Sequence, residues 1–446
     1  MLERTDSRTQ EYAESLARLI RVETVSEEGQ TDLSKFYAFH DLLKTSFPHI
    51  FAAAEYEDFD GSLLLCWKGT NKDILPIMFM NHHDVVEAPG EWKYPPFSGT
   101  VAEGRIWGRG TLDTKGGLWA MLTAADELAA SGFVPTRDVY FMSTCCEECS
   151  GIGADTISKV LLSRGIRFEM ILDEGGMIVK EPLSGAKGTY AMIGVGEKGC
   201  ADIKFIARSS GGHASTPPKN SPLVRLGKFM AEVERKKLFD VKLSPTVQTM
   251  LSRLSSSMSG PLKLFLGHPR LFSPLLRAVM PSVSGAAGAM LKTTVAFTMA
   301  SGSDGTNVLP QEAWVICNMR YSHHQGGDSS IEAISRLAKK YNIETVVLER
   351  GFDSPLSDYR SVAFSLIEHA VKEVYPDVMT SPYVMNAASD SRFMSRVCDN
   401  CLRFAPFVID NEQLDSVHGI NENLCIDTLA PAVDFYKSVI TEAQHG

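Results

Sequence analysis

The sequence predicts an α/β protein with a mainly parallel central sheet and a smaller α+β domain inserted into it. Two observations carry this prediction. Short, continuously apolar runs alternate with helical patterns near both ends of the chain, as in βαβ units. A stretch in the middle follows the order β-α-β-β-α-β, which is typical of a small antiparallel sheet with helices on one face. The α/β pattern resumes after about residue 355, so the smaller unit interrupts the larger one.

The apolar runs are too short for helices and are predicted to be strands buried on both faces. They are ILPIMFM (74–80), VYFM (139–142) and the run that ends at Leu172. Between the first two, one helical face carries Leu118, Met121, Leu122, Ala125 and Leu128 and ends before Gly132, as expected of a crossover helix. Towards the C-terminus we expect a helix at 361–374, a strand at 403–409 and a helix at 427–443.

The smaller unit is predicted from six elements in order. They are a strand at 198–207, a helix at 221–237, strands at 293–300 and 313–322, a helix at 329–341 and a strand at 344–349. An apolar insert at about 239–292 has no role that the pattern assigns. We therefore predict a catalytic domain in two parts, 1–195 and 353–446, and an inserted domain at 196–352.

Composition excludes several classes of protein. The 446 residues carry a formal net charge of −10, which argues against a nucleic-acid partner. The N-terminus has no apolar signal core, and no uncharged apolar run approaches the length of a membrane span, so we expect a cytoplasmic protein with no membrane partner. Nine dispersed cysteines indicate mostly reduced thiols rather than a disulfide framework.

Potential metal ligands follow each predicted strand of the larger domain. They are His82, His83 and Asp84, then Glu147 and Glu148, then Asp173 and Glu174, with Asp113 before the crossover helix and His418 in a late loop. Ligands bind outside the carboxyl ends of strands in open α/β sheets, so these side chains are expected to converge. Histidines and carboxylates suit Zn²⁺, with Mn²⁺ or Co²⁺ as alternatives. Such a set can hold two ions about 3.5–4 Å apart, which predicts hydrolysis.

Six motifs in order and spacing resemble the M20 family of dinuclear zinc peptidases and aminoacylases. They are HHDVV (82–86), GRGTLDTKGG (108–117), the Glu pair with GIGA (151–154), LDEGG (172–176), GGHAS (211–215) and SVHG (416–419). The segments SLLLCWKGT (62–70), EWKYPPFSG (91–99) and IWGRG (106–110) are most similar to its carboxypeptidase S and N-acyl amino acid hydrolase branch. The resemblance implies a zinc-peptidase-like catalytic domain and a ferredoxin-like lid that forms a homodimer.

The resemblance also implies a role for each residue in these motifs. His82 would bind one zinc ion, Asp113 would bridge two, Glu148 and His418 would bind the second, and either Asp173 or Glu174 would complete the first. Asp84 would orient the imidazole of His82, and Glu147 would be the general base. In the lid, His213 would stabilise the oxyanion in a partner subunit's site, Asn307 would bind substrate, and Arg320 would pair with a substrate carboxylate.

The sequence departs from the family pattern at two positions. Cys146 replaces the usual Asp before the Glu pair, and Glu87 replaces the usual Pro after HxDVV. Cys145, Cys146 and Cys149 are expected to fill apolar space. A structural zinc site formed by Cys146, Cys149, Cys398 and Cys401 is a weaker alternative, because the first pair brackets the Glu pair.

The motifs predict a metal-dependent hydrolase that cleaves the amide bond of a short peptide or N-acyl amino acid. A carboxypeptidase or dipeptidase is favoured, and an aminoacylase-type N-acyl amino acid hydrolase is the alternative, because the chemistry is the same and only the acyl pocket differs. A catalytically inactive binding homologue is the alternative from another class. Retention of the base and of every ligand in the motif register argues against it.

Overall fold

The computed structural model describes residues 7–283 and 285–444, so residues 1–6, on which the expectation for the N-terminus partly rests, lie outside it. Helices and strands alternate through the first part of the chain. In order they are α1 (Thr9–Ile20), α2 (Ser34–Ser46), α3 (Pro48–Ala53), β1 (Ala54–Phe59), β2 (Ser62–Trp67), β3 (Ile77–His82), β4 (Thr100–Ala102), β5 (Arg105–Trp107), α4 (Lys115–Ala130), β6 (Val139–Thr144), α5 (Ile152–Ser163), β7 (Met170–Asp173), β8 (Ile178–Lys180) and β9 (Thr189–Glu197).

The remaining elements form the smaller unit and the return to the larger one. The former contains β10 (Gly199–Arg208), β11 (Gly212–His213), α6 (Pro222–Arg235), α7 (Pro245–Ser255), α8 (Gly260–Gly267), α9 (Ser273–Val283), α10 (Gly285–Ala289), β12 (Thr294–Ser301), β13 (Val308–Leu309), β14 (Glu312–Tyr321), α11 (Gly327–Lys340) and β15 (Glu344–Arg350). The latter contains α12 (Val362–Val374), β16 (Met379–Met385), α13 (Ser391–Met394), β17 (Cys401–Arg403), β18 (Val408–Ile409), α14 (Asn411–Ser416), β19 (Asn423–Cys425), a 3₁₀ turn (Ile426–Thr428) and α15 (Leu429–Glu442).

The large sheet confirms the predicted α/β class. Its strand order is β1-β2-β6-β3-β7-β17-β9-β8-β18, with β16 also paired to β9. The central strands β6, β3, β7 and β17 run parallel, whereas β1, β2, β9 and β8 add antiparallel pairs on either side. The sheet is therefore mixed, and the expectation of parallel pairing holds for its centre.

The centre of this sheet is covered on both faces, which explains the continuous apolar runs. Because successive strand residues point to opposite faces, Phe79 and Phe141 pack under α4 and α15, while Met78 and Met142 pack under α5 and α13. Every residue of β3, β6 and β7 is buried. Burial of both faces fixes the register of these strands and hence the position of their carboxyl ends.

The strand predicted at 403–409 is wrong as a single element. The structure has two short strands there, β17 and β18, which pair with β7 and β8 respectively. Pro406 lies between them and has no N–H to donate to a ladder. The backbone between β17 and β18 instead forms other hydrogen bonds: the amides of Phe404 and Ala405 donate to the carbonyls of Asp173 and Gly176.

The smaller unit contains an antiparallel sheet in the order β12-β14-β10-β15. Its elements follow the predicted β-α-β-β-α-β sequence, and α6 and α11 cover one face with a core that includes Phe205, Phe229 and Leu337. The exact domain boundaries stay a prediction. Among the described residues, no helix is both long enough and apolar enough to cross a lipid bilayer.

The insert at 239–292 folds into the helices α7 to α10. Its core, which includes Leu251, Leu254 and Met258, packs against Tyr190 of β9 and Met379 of β16. The insert thus covers β9 and β16 of the large sheet. Its buried apolar residues form this contact.

Candidate metal centre

Three neighbouring parallel strands bring the candidate ligands to one edge of the large sheet. β3 ends at His82, β6 ends three residues before Glu147, and β7 ends at Asp173. β3 pairs with both β6 and β7 in parallel. Because parallel strands share the direction of their carboxyl ends, side chains separated by up to 92 positions in the sequence meet there.

Two histidines contact the carboxylates of this edge. His82 Nε2 lies 3.1 Å from Asp113 Oδ1 and 3.5 Å from Glu174 Oε1. His418 Nε2 lies 3.0 Å from Asp113 Oδ2 and 3.1 Å from Glu148 Oε2. Asp113 therefore lies between the two histidines and offers one oxygen to each. We call His82, Asp113, Glu148, Glu174 and His418 the acidic cluster.

Asp84 holds the residues around it in place. Its backbone carbonyl lies 2.9 Å from His82 Nδ1, and its carboxylate lies 3.3 Å from the same atom, which leaves Nε2 of the ring free to face the cluster. The two carboxylate oxygens accept hydrogen bonds from the backbone amides of Glu147 and Glu148, at 3.2 and 3.1 Å. One buried carboxylate thus orients both the histidine and the Glu pair.

His83 faces away from the cluster despite its position beside His82. Its ring stacks on Phe39 with a centroid distance of 5.2 Å, and Nδ1 lies 2.8 Å from Ser143 Oγ. Burial lowers the pKa of His83 well below its usual value. This histidine is a neutral part of the core.

Asp173 and Glu174 have different surroundings. The carboxylate of Asp173 accepts hydrogen bonds from the backbone amides of Glu174 and Ser391, both at 2.9 Å, and is buried. The carboxylate of Glu174 faces His82. The structure therefore brings Glu174 into the acidic cluster and keeps Asp173 behind it.

The loop that carries Asp113 is held by a residue that the sequence analysis missed. Both oxygens of the Glu422 carboxylate accept from the amide of Gly110, and one of them also accepts from those of Leu112 and Asp113. Arg109 forms a buried ion pair with it at 2.7 Å. Glu422 comes four residues after His418, and that proximity to a matched motif was the available signal.

A second missed group lies behind Glu147. The guanidinium of Arg392 lies 3.5 Å from Glu147 Oε1 and also donates to the carbonyl of Ser389 at 2.7 Å. Asp390 accepts a hydrogen bond from Thr144 Oγ1 at 2.6 Å. These residues follow β16, a strand that the apolar pattern did not reveal, so nothing in the sequence analysis pointed to them.

Electrostatics at the acidic cluster favour a bound cation. Burial alone would lower the pKa of His82, but the charge of Glu174 and contacts with Asp113 and Asp84 raise it well above its usual value. Hydrogen bonds to Asp113 and Glu148 raise the pKa of His418 to about 10. Both shifts follow from the negative charge that the neighbouring carboxylates place around the two rings.

The carboxylates show the complementary effect. Burial raises the pKa of Glu174 well above its usual range, against the charge of His82, and burial raises that of Glu147 in the same way. Burial would also raise the pKa of Asp113, but hydrogen bonds from His418 and His82 lower it below its usual range. Three carboxylates of the cluster thus surround two histidines.

The donor atoms fit divalent metal ions. One oxygen of Glu148, Oε1, is buried and has no hydrogen-bond partner within the described residues. Donor atoms of His82, Glu147 and Glu174 lie within 4.8 Å of one another, as do those of His82, Asp113 and Glu148. Imidazole nitrogens and carboxylate oxygens are the ligands that suit Zn²⁺ and its neighbours.

The cysteine pairs lie apart from each other. Cys146 packs beside Phe36, whereas Cys398 and Cys401 lie in the apolar cluster that contains Met78. The amide of Gly153 donates to Cys146 Sγ at 3.2 Å. The alternative of a shared four-thiolate zinc site is therefore wrong.

The three residues expected in the lid are placed in the smaller unit. His213 in β11 is exposed and contacts Ser215, with Nδ1 2.7 Å from its Oγ. The carbonyl of Asn307 accepts from the amide of Ala214 at 2.9 Å. Arg320 in β14 donates to Asn318 Oδ1 at 3.0 Å. These contacts lie within the smaller unit, and none of them reaches the acidic cluster.

A family model spans most of this architecture. Residues 78–442 match the model described as peptidase family M20/M25/M40. The chain belongs to this family. The matched range contains the whole acidic cluster, and the resemblance inferred from the motifs is confirmed. Like the M20 peptidases, the chain is a metal-dependent hydrolase.

Individual relatives agree with the M20 assignment. The probable carboxypeptidase S-like 2 of Dictyostelium discoideum is 32% identical over 452 residues, covering 97% of this chain and 85% of that protein. The N-fatty-acyl-amino acid synthase/hydrolase PM20D1 of Homo sapiens is 31% identical over 443 residues, covering 96% and 87%. The M20 family metallo-carboxypeptidase Sso-CP2 from Sulfolobus solfataricus shares the fold, with a TM-score of 0.71 at 16% identity over 96% of this chain and 98% of that one.

Proposed function

We propose that the chain hydrolyses the amide bond next to a free carboxylate, in short peptides or N-acyl amino acids, with two zinc ions held by the acidic cluster. The observation that carries this proposal is the placement of Asp113 between His82 and His418, with one carboxylate oxygen towards each. His82 and Glu174 would complete one site, and Glu148 and His418 the other. Mn²⁺ or Co²⁺ suits the same donors.

Bound ions would polarise the scissile carbonyl and lower the pKa of the attacking water towards about 7. The Glu147 carboxylate would accept the proton of that water and pass it to the leaving amine. Its place beside the cluster and its contact with Arg392 support this role, because the guanidinium fixes the carboxylate without removing its second oxygen. Asp84 would keep Nε2 of His82 directed at the ion.

Substrate binding would come from the smaller unit. Arg320 would pair with the substrate carboxylate through two parallel hydrogen bonds, and Asn307 would bind the substrate backbone. His213 would stabilise the oxyanion in the site of a second subunit of a homodimer. The exposure of His213 supports this last role, since an exposed imidazole is free to meet another chain.

Two acyl-group preferences remain as candidates, and each has a relative in its favour. Similarity to the carboxypeptidase S-like protein favours peptides, and similarity to the N-fatty-acyl-amino acid synthase/hydrolase favours acyl amino acids. Both reactions use the same acidic cluster. Only the acyl side of the scissile bond differs between them.

A panel of dipeptides, longer peptides and N-acyl amino acids of increasing chain length separates these candidates. The purified chain is stripped with a chelator and then reloaded with Zn²⁺, Mn²⁺ or Co²⁺. We expect activity to vanish on stripping and to return with zinc. Hydrolysis that survives complete metal removal, or a metal-loaded chain that cleaves no member of the panel, would contradict the proposal.

A further inference from the structure

The chain has an unusually long stretch without acidic residues. Between Asp240 and Asp304 it contains no Asp or Glu, although it carries six Lys and Arg residues there. The whole protein has a net charge of −10, so this stretch is a local reversal of its charge. Most of the stretch is the helical insert, α7 to α10.

Part of the insert exposes large apolar side chains. The exposed fractions are 54% for Leu264, 74% for Leu271, 46% for Leu275 and 48% for Val279. We call these four residues the exposed ridge. In and just before α9, Leu271, Leu275 and Val279 follow one another at intervals of four, whereas Leu276 and Met280 are buried in the insert's core.

An aromatic contact connects the two halves of the exposed ridge. The rings of Phe265 and Phe272 meet edge to face with centroids 4.8 Å apart. Leu264 and Leu271 each precede one of these rings in the sequence. This contact places α8 beside the start of α9.

Basic side chains accompany the exposed ridge. Lys263 and Arg270 each precede a ridge leucine, and Arg277 lies between Leu275 and Val279. Within the described residues none of the three forms an ion pair. They contact neutral oxygens instead: those of Ser256, Gln248 and Val241. Their positive charges are therefore available to an external anionic surface.

This combination disfavours a second copy of the chain as the occupant. A symmetric contact through the exposed ridge would place basic side chains opposite basic side chains, with no acidic residue in α7 to α10 to compensate them. An anionic bilayer supplies an apolar layer in which the leucines can be buried and negative charges that attract the basic side chains. Docking of this kind requires no membrane-spanning helix, so it replaces the expectation of no membrane partner, which rested on the lack of an apolar run long enough to span a bilayer.

We propose that the exposed ridge docks the protein on the surface of an anionic lipid bilayer. Leu264, Leu271 and Leu275 enter the interface between headgroups and acyl chains. Lys263, Arg270 and Arg277 face the lipid phosphates and the charged headgroups. The acidic cluster takes no part in this contact, so docking is independent of the hydrolase reaction.

The test is co-sedimentation of the full chain with vesicles of phosphatidylcholine alone or of equimolar phosphatidylcholine and phosphatidylserine. One variant replaces Leu264, Leu271 and Leu275 by Ser, and a second replaces Lys263, Arg270 and Arg277 by Gln. A matched control replaces Val134, Leu162 and Val362, which are exposed elsewhere, by Ser. Circular dichroism and thermal midpoints verify that all four proteins are folded.

We expect binding to the anionic vesicles that weakens as salt is raised. It should fall at least about tenfold in both insert variants and remain in the control, since each basic residue and each buried leucine adds to the affinity. Equal sedimentation with both kinds of vesicle, or equal loss in the control, would overturn the proposal. Concentration-dependent self-association that the leucine variant abolishes, without vesicle binding, would assign the exposed ridge to a contact between copies instead.

Discussion

The acidic cluster and the helical insert belong to one chain but differ in charge and in the burial of their side chains. The cluster gathers partly buried carboxylates, and each of them lies within 3.5 Å of a histidine nitrogen. The helices of the insert contain no acidic residue, and they expose leucines near three cations that form no ion pair within the described residues. A buried charged group costs free energy unless it has a partner, whereas folding does not require a partner for an exposed side chain.

This difference shows which residues of the chain are constrained by folding and which are not. In the cluster, each ligand must sit at a fixed place in a rigid frame, so the residues recur as recognisable motifs at strand ends. In the insert, only the inward half of each helix is constrained by packing. Its outward half is therefore informative about a partner, since folding alone does not require leucines there.

The largest effect is expected at the proposed base. Glu147→Gln should lower kcat by about 10²–10⁴-fold, because proton transfer is lost while the shape of the side chain is kept. Metal content should not change. Steady-state kinetics and elemental analysis measure the two quantities, with the exposed Glu234→Gln on α6 as control. If Glu147→Gln kept full kcat, another group would have to be the base.

A large loss of stability is expected from the missed residue Glu422. Glu422→Gln leaves Arg109 buried without its counter-charge, which should cost about 3–5 kcal/mol of unfolding free energy. Metal affinity should also fall, because Gln offers one acceptor oxygen instead of two to the loop amides that position Asp113. Urea unfolding tests the first effect, with the exposed Glu412→Gln as the matched variant. Equal stability of the two variants would refute the structural role of Glu422.

A substitution in the core of the insert tests whether the insert and the acidic cluster act independently. Leu254→Ala removes a buried side chain and should cost about 3 kcal/mol, whereas the exposed Leu264→Ala should change stability by less than about 0.5 kcal/mol. At temperatures where both variants are folded, kcat on a soluble substrate should equal that of the wild type. A selective loss of kcat in Leu254→Ala would show that the insert shapes the acidic cluster.

The smallest effect is expected at Lys198, which follows β9 and contacts residues of the insert. Its ammonium donates to the carbonyls of Ala289 and Lys292 and to Thr294 Oγ1. Burial lowers the pKa of Lys198 to about 8, from the usual 10.5. Between these two values the unfolded chain binds the proton that the folded chain has lost, so unfolding free energy should rise with pH there.

Urea midpoints of the wild type and of Lys198→Met, measured across that interval, isolate this contribution. The wild type should show the steeper rise, because methionine cannot titrate. Parallel profiles for the two proteins would mean that the lysine keeps an ordinary pKa in the folded state.

Much of the fold could be predicted because it depends on apolar runs. The runs ending at Met80, Met142 and Leu172 became the central strands β3, β6 and β7, and the element order of the smaller sheet was also correct. The strand expected at 403–409 was interrupted by Pro406. β16 was missed because it lies at the side of the sheet and alternates irregularly between buried and partly buried residues.

The residues of the candidate site also divide into those that the sequence predicted and those that it did not. Residues inside motifs, such as His82, Asp113 and His418, were predicted and do meet. The choice between Asp173 and Glu174 depended on which side chain β7 turns towards the cluster, and no local pattern contains that information. Glu422 and Arg392 act through contacts with residues 309 and 245 positions away in the sequence, which only the folded chain reveals.

The most direct test of the acidic cluster is its metal content. Inductively coupled plasma mass spectrometry on the zinc-loaded wild type, on His418→Ala and on the double variant His82→Ala/His418→Ala counts the ions per chain. Two zinc ions in the wild type, fewer in His418→Ala and essentially none in the double variant is the predicted result. A wild type that binds no more zinc than the double variant would contradict the assignment of these residues as a metal centre.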